Sequence, residues 1–320
     1  VYFAGYDAAV GTASINTTTS AVAPRVISSM GMNAGTFARQ ASSATLLSTY
    51  NFRSATGNGT DFWGVGSNGG VNYFGTGAAT QVSSTVTNIR VTSVQNGQLY
   101  FTTGSGTAGV YAVGTGTPTV TGTTATMVFA TGAGSSPYAF QFSADGNTCY
   151  VADDRTTAAG GIQKWTKTGG VWSLAYTISV GAATGARGIA VDFYAGAQPR
   201  IYAVINNAAG TGVVYLDENG TATPTVNTLA TATTASNTAY RSLAFAPCTS
   251  TTWYADADGD GYGNASSTLS YCTQPYGYVA NATDCDDSNI AVNPSGTEVC
   301  GGTDENCDGQ FNEGLTFYNY

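Results

Sequence analysis

Cys149-Tyr150-Val151-Ala152, a short loop, then Gly161-Ile162-Gln163-Lys164-Trp165: the reading of this stretch decides the fold, because the pair recurs along residues 1–248. Phe62-Trp63-Gly64-Val65 is followed by Gly70-Val71-Asn72-Tyr73-Phe74. Leu99-Tyr100-Phe101-Thr102 is followed by Gly109-Val110-Tyr111-Ala112-Val113, and Ile201-Tyr202-Ala203-Val204 by Gly212-Val213-Val214-Tyr215-Leu216. Before each pair lies an alternating strand, such as Phe140-x-Phe142 ending at Asp145-Gly146 or Ile189-x-Val191-x-Phe193 ending at Gly196. A fourth short strand follows, as in Met127-Val128-Phe129 and Leu174-x-Tyr176-x-Ile178. Period-two alternation, turns built on Gly, Asn and Asp, and the lack of a 3.6-residue period specify an all-β domain. Four antiparallel strands in each unit of roughly 40–50 residues is the pattern of a β-propeller blade.

Working outward, the two ends complete the pattern. Leu243-Ala244-Phe245-Ala246-Pro247 reads as a fifth first strand with no second strand after it. The missing partner matches Val1-Tyr2-Phe3-Ala4, with Gly11-Thr12-Ala13-Ser14-Ile15 as the next, Gly-led strand. The expectation is about five four-stranded blades, the ring closed by the N-terminal strand, with residues 17–50 irregular and able to hold a sixth. A β-sandwich or solenoid would use the same strands without a ring. If a neighbouring subunit supplied the Val1 strand, the contact would be head-to-tail and would build a filament.

Charge divides the chain at the same place. Residues 1–248 carry ten basic and eight acidic side chains, whereas residues 249–320 carry eleven acidic and none basic, giving the net −9. We therefore take 1–248 as the propeller and 249–320 as a separate module. The acidic segment repels nucleic acid and anionic membranes and attracts multivalent cations. No apolar run approaches the ~20 residues that span a bilayer. The chain begins at Val1 and has six cysteines, four of them crowded into the acidic segment. Those features suit a processed, secreted protein of an oxidising compartment, extracellular or at a bacterial-type cell surface. Sequons at Asn16, Asn58, Asn219, Asn264 and Asn281 are compatible with that location.

Within the acidic segment, Asp256-Ala257-Asp258-Gly259-Asp260-Gly261-Tyr262 and Asp304-Glu305-Asn306-Cys307-Asp308-Gly309-Gln310 have the alternation of a calcium loop. Oxygens at positions one, three and five converge, Gly at six permits the turn, and the carbonyl at seven (Tyr262, Gln310) adds a ligand. The twelfth position of the first loop is Ser267, so neither loop is an EF-hand; Asp284, Asp286 or Asp287 must supply the closing carboxylate. In the second loop the candidate is Glu313, which lies at position ten, so the geometry must differ there too. With so few large aliphatics, calcium and disulfides must stand in for a core. Four cysteines allow three pairings, and we favour Cys272–Cys285 with Cys300–Cys307, leaving Cys149 and Cys248 open.

Residues 253–314 resemble the MopE-type metal-binding repeat of secreted bacterial surface proteins. The resemblance rests on Trp253-Tyr254 and the first loop, then Cys272, Pro275, Gly277-Tyr278-Val279 and Asp284-Cys285-Asp286-Asp287. Pro294, Glu298, Cys300 and the second loop follow. The aspartate loops also resemble thrombospondin type 3 repeats. Gly301 and Asn312 stand where the family usually has Asp, so the second site is expected to be the weaker. The family name implies copper, but a chain with no His and three Met offers hard oxygens, which favour calcium, in two or more ions.

The absence of His removes the Ser-His-Asp and Cys-His schemes. Paired carboxylates remain, from Asp7, Asp61, Asp145, Asp153, Asp154, Asp192, Asp217 and Glu218. Asp145-Gly146 and Asp217-Glu218-Asn219-Gly220 read as turns and Asp153-Asp154-Arg155 as a solvated strand end, so no catalytic constellation emerges. Tyr100, Tyr150 and Tyr202 have the spacing of blade cores as much as of sugar-stacking pockets. The expected role is structural or adhesive at the cell surface, with self-association into a homopolymer aided by the strand-like end Leu315-Thr316-Phe317-Tyr318-Asn319-Tyr320. A lectin-like propeller and, after it, a polysaccharide-degrading enzyme are the alternatives.

Overall fold

Alternation becomes antiparallel meanders. In a computed structural model of the chain, which describes residues 1–31, 36–75, 79–233 and 239–316, the fold is all-β apart from a 3-10 turn at Ile15–Thr17 among the described residues. Two compact units separate: residues 1–193 with 199–247, and residues 194–198 with 248–320.

The first unit begins with a three-stranded sheet, β1 (Tyr2–Tyr6), β2 (Arg25–Met30) and β3 (Phe37–Ser43). Four four-stranded sheets follow in chain order, each a simple up-and-down meander. They are β4 (Phe52–Gly57) to β7 (Thr80–Ser83), with β5 (Phe62–Gly66) and β6 (Val71–Tyr73) between; then β8 (Ile89–Gln95), β9 (Gln98–Thr103), β10 (Gly109–Val113) and β11 (Ala125–Ala130). The third set is β12 (Pro137–Phe142), β13 (Thr148–Asp153), β14 (Gly161–Thr168) and β15 (Val171–Ile178). The last is β16 (Gly185–Asp192), β17 (Arg200–Asn207), β18 (Gly210–Asp217) and β19 (Asn227–Thr233).

The apolar-aromatic pairs become the second and third strands, and their side chains fill the space between consecutive sheets. Trp63, Val65 and Val71 pack with Ile89, Leu99 and Phe101 of the next sheet. Val110 and Phe129 pack with Phe140, Phe142 and Trp165, and Tyr150, Ile162 and Ile178 with Ile189, Val191 and Ile201. Tyr150 is fully buried, while Tyr100 lies on Phe142 (4.7 Å between centroids) and Tyr202 on Phe245 (5.6 Å). The repeated tyrosines are therefore packing residues. Each core layer is thus shared by two neighbouring meanders, the face-to-face stacking of propeller blades.

First strands sit side by side: β4 against β8, β8 against β12, β12 against β16. With Ser242-Leu243-Ala244-Phe245 they line one cavity of about 550 Å3. Gly188 of β16 faces Ser242 so closely that a Cβ there would lie 3.0 Å from the Ser242 Cα.

Three expectations require correction. Gly11-Thr12-Ala13-Ser14-Ile15 forms turns leading into the 3-10 segment, not a strand, and the partner of β1 is β2. Residues 17–50 hold β2 and β3 of this first sheet, not a sixth blade. Their anchor is Arg25, fully buried, donating to the carbonyls of Leu47 (3.1 Å), Ala23 (2.7 Å), Thr18 (2.8 Å) and Tyr50 (3.3 Å). One guanidinium satisfies four loop carbonyls, which lets a segment with little periodicity fold. Finally, Asp153 is not a solvated strand end: it is fully buried, and it meets Arg155 (2.5 Å), Gln163 Nε2 (3.1 Å) and the Ser136 amide (3.0 Å).

The second unit has a three-stranded sheet, β20 (Thr251–Ala255) between β21 (Asn264–Tyr271) and β22 (Tyr278–Val279), and is otherwise loops. Leu315 and Thr316 are not in a strand, and Phe317-Tyr318-Asn319-Tyr320 lie outside the described residues.

Candidate metal centre

The Asp256–Tyr262 loop hangs between β20 and β21, with Gly259 (φ 82°) and Gly261 (φ 92°) taking the left-handed backbone the turn requires. Asp256 and Asp260 place carboxylate oxygens within 4.8 Å of one from Asp258, and Asp258, Asp284 and Asp287 form a second such group. Asp258 belongs to both, so four carboxylates from two stretches of chain converge on it. A parallel bridge between Asn264 and Asp284 brings the distal pair in.

Each carboxylate divides its oxygens in a regular way. One oxygen accepts a backbone N–H: Asp258 from Asp260 (3.2 Å), Asp260 from Tyr262 (2.8 Å), Asp284 from Asp286 (2.8 Å), Asp287 from Ala257 (2.7 Å). The other Oδ2 of Asp258, Asp260 and Asp284 is buried with no hydrogen-bond partner. Asp256 is spent on the Gly259 and Gly261 amides (2.9 and 3.2 Å). Burial first, then the neighbouring aspartates, hold the Asp258 and Asp284 carboxyls above their ordinary range. Orphaned buried oxygens among like charges fit a hard divalent cation, with Asp258, Asp260 and Asp284 as its first holders.

The other expected ligands are placed differently. Asp286 turns its carboxylate to the Ser288 hydroxyl (2.6 Å). Tyr262, expected to offer its carbonyl, has its phenol hydrogen-bonded to the Ser295 hydroxyl (2.5 Å), which leaves the carbonyl's role open. In the second loop Asp304 accepts from the Asp308 and Gly309 amides (3.1 and 2.7 Å), and Asp308 from Gln310 (2.9 Å). Asn306 Nδ2 donates to Glu313 Oε1 (2.6 Å), leaving Glu313 Oε2 buried and unpaired. Among the described residues no group of three carboxylates meets there.

Sequence reasoning missed the organiser of this second loop. Buried Glu298 accepts from the amides of Glu305 (2.9 Å), Asn306 (3.2 Å) and Asn312 (2.8 Å), and buried Glu305 accepts from the Val299 amide (3.1 Å). The clue was a pair of glutamates in a segment where aspartate provides the loop oxygens. The sequons also differ in setting. Asn58 and Asn219 are exposed and Asn16 and Asn264 half-buried, whereas Asn281 uses its amide to hold the Gly261 carbonyl (2.9 Å) beneath the metal loop.

The cysteine pairing is corrected as well. Cys248 joins Cys272 (Cα–Cα 5.9 Å) and Cys285 joins Cys307 (5.8 Å), while Cys149 is buried and free and Cys300 exposed and free. The register Thr251↔Tyr271 puts Cys248 and Cys272 together at the open end of the β20–β21 hairpin, which nearness in sequence does not reveal.

The candidate catalytic carboxylates of the first unit are engaged. Asp7 pairs with Arg39 (2.7 Å), Asp154 with Arg187 (2.7 Å), Asp217 with Arg200 (2.6 Å) and Glu218 with Lys164 (2.8 Å). Asp61 accepts from the Tyr73 hydroxyl (2.5 Å), Asp145 from the Asn147 amide (3.0 Å). Glu218, expected in an open turn, is buried beneath Lys164 and Tyr176. Asp192 ends β16.

Comparison with known proteins follows these lines. Solved structures with a similar chain path include a candidate 6-phosphogluconolactonase from Bacteroides fragilis (14% identity, 73% of this chain and 68% of that one, TM-score 0.44). YCF48 bound to D1 peptide (14%, 85% and 82%, 0.42) and the Myceliophteria thermophila Cps50 (Swd1) β-propeller domain (8%, 67% and 86%, 0.34) are two others. All score below 0.5, so the functional reading rests on this chain's own residues. Comparison with curated proteins gives no match. Residues 284–313, which hold Asp284, Asp287 and the whole second loop, match the Cu-binding MopE family, a metal-binding motif.

Proposed function

We propose that this chain is a secreted structural or adhesive cell-surface protein in which a five-bladed propeller carries a calcium-stabilised C-terminal module. The observation behind the calcium reading is a cluster of five aspartates centred on Asp258, three of the five with a buried, unpartnered oxygen. An all-oxygen donor set in a chain without His favours calcium over copper. Extracellular calcium modules work with Kd values of roughly 0.1–1 mM, enough for a structural ion. Two disulfides in the same unit favour an oxidising location.

Ser242-Leu243-Ala244-Phe245, expected as a strand but joined to no ladder in the structure, takes the fifth innermost position as an extended segment, beside β16 on one side and the β1 sheet on the other. The shared cavity lining and the close approach to Gly188 support this closure. Engagement of the propeller carboxylates by cations favours a non-catalytic role. Self-association into a homopolymer is the further part of this reading, with glycans as the alternative ligands.

Calcium titration of the whole protein by calorimetry tests the metal reading; binding is expected, and its absence up to several millimolar rejects it. Electron microscopy with calcium and then with excess chelator tests assembly. Ordered fibres that fray on chelation are expected, whereas discrete particles in both conditions reject the polymer.

A further inference from the structure

The innermost strands share a second regularity. In each four-stranded sheet the register between first and second strand slips at one place: between Phe52 and Ser54, Ile89 and Val91, Pro137 and Phe140, and Ala186 and Gly188. The residues left out at the slips are Arg53, Arg90, Tyr138 (with Ala139 after it) and Arg187. In Tyr240-Arg241-Ser242-Leu243, the corresponding residue is Arg241. All five line a single cavity of about 360 Å3. A β-bulge leaves one residue out of the ladder and re-aims its side chain, and bulges gather beside functional sites. Four slips at one register position, aimed at one cavity, are an arrangement rather than an accident of one strand.

The cations of this unit are otherwise accounted for. Arg39, Arg155, Lys164, Arg187 and Arg200 have carboxylate partners. Arg25 is spent on carbonyls, and Lys167 lies over Trp172 (5.4 Å). The remaining three, Arg53, Arg90 and Arg241, all face this cavity, and Arg187 joins them with Asp154 as its single counter-charge. Arg90 and Arg187 lie 4.5 and 5.1 Å from the centre of the Tyr138 ring, and Arg90 also donates to its hydroxyl. The Nε of both arginines is buried with no hydrogen-bond partner. Arg53 bonds to Asn88 Oδ1 (2.6 Å), and burial, then the charge of Arg90, pulls its pKa down. Four arginines thus gather at one cavity with a single carboxylate, Asp154, paired to them.

We propose that this arginine-lined mouth is an anion-binding site for a tetrahedral oxyanion, free or as the ester group of a small molecule. A guanidinium fork suits carboxylate and phosphate alike. Cations disposed around a mouth favour the tetrahedral class, whose oxygens accept from several directions, over a planar carboxylate. The cavity takes a small ligand, and Tyr138 offers a ring on which an ester's organic part can rest.

Calorimetry with sulfate and with phenyl phosphate, on the full chain at low calcium, tests the site and separates free ion from ester. Saturable binding of one ligand per chain is expected. Arg241→Gln, at an exposed position with no partner among the described residues, is expected to weaken it about tenfold, as is Arg53→Gln, each removing a charged hydrogen-bond donor. Near-ultraviolet circular dichroism and calcium affinity are expected to stay unchanged in both. Tighter binding of phenyl phosphate than sulfate assigns the ester; equal binding assigns the free anion. No saturable binding of either, or binding indifferent to both substitutions, overturns the proposal. Loss of self-association in Arg241→Gln without any small-anion binding also overturns it, in favour of an acidic protein surface as occupant.

Discussion

Gln141 bonds twice to Val191: its Nε2 donates to the Val191 carbonyl at 3.0 Å and its Oε1 accepts from the Val191 amide at 2.8 Å. The side-chain amide acts as a piece of backbone, continuing hydrogen bonding from one innermost strand to the next. Gln95 repeats the device one sheet earlier, to the Phe140 carbonyl (3.1 Å) and the Phe142 amide (2.8 Å). Between the preceding pair of sheets, Ser54 and Thr56 accept from the amides of Thr92 (3.2 Å) and Val94 (3.1 Å). Polar residues that would look misplaced near a core hold neighbouring sheets in register.

Gln141→Leu leaves a partly buried amide and carbonyl of Val191 unpaired. The expected loss is about 2–4 kcal/mol of unfolding free energy, read as a lower urea midpoint for the propeller transition.

Asp258→Asn removes the carboxylate common to both groups of the metal centre. Calcium affinity measured by titration is expected to fall at least ~10-fold, the scale of one charged ligand interaction, and chelator should no longer shift the melting of that unit. Asp286→Asn is the contrast. Its carboxylate is turned to Ser288, so affinity within about twofold of wild type is expected.

Thiol counting checks the disulfide pattern. Alkylation of the native protein without reductant is expected to modify Cys300 alone, with Cys149 reacting after unfolding. Burial also raises the Cys149 thiol's pKa, which slows it further. A native protein with no reactive thiol would restore the Cys300–Cys307 pairing. Reducing both disulfides should destabilise the second unit by about 2–5 kcal/mol each.

Glu218 supplies a pH dependence with a definite sign. Burial alone would raise its pKa, but hydrogen bonds from Lys164, Tyr176 and the Gly220 amide, together with the Lys164 charge, leave it below the ordinary value. A depressed folded pKa means the stabilisation is complete above the unfolded value of about 4.3 and is lost as pH falls through the folded one. The melting temperature of the wild type minus that of Glu218→Gln should therefore be constant above about pH 5 and shrink below about pH 4. A difference that grows on acidification would contradict the ion-pair assignment.

How much of this was legible beforehand depended on locality. The pair around Tyr150 and Ile162 declared itself because period two is written in consecutive residues. β2 and β3 did not, since Ser28-Ser29 and Arg39-Gln40 carry little apolar alternation and their anchor, Arg25, acts through carbonyls up to 25 residues away. Asp145 and Asp153 look alike at the ends of their runs, yet one caps a turn and the other is buried; partners brought in by the fold, Gln163 and the Ser136 amide, distinguish them. The first aspartate loop was readable from its spacing. The choice of Asp284 and Asp287 over Asp286 depends on how a distant stretch folds back. Nor did the arginines of the innermost strands stand out, because their alignment needs the slips in strand register.

Those slips also bear on how the cavity is specified. A bulge between first and second strand in four successive sheets is a feature of the repeat unit, so the cavity wall is made of equivalent positions of that unit, with Tyr138 standing where the others have Arg. Because each of the four four-stranded sheets contributes a bulge side chain to the same mouth, one wall can be altered at a time while the other copies keep their stacking.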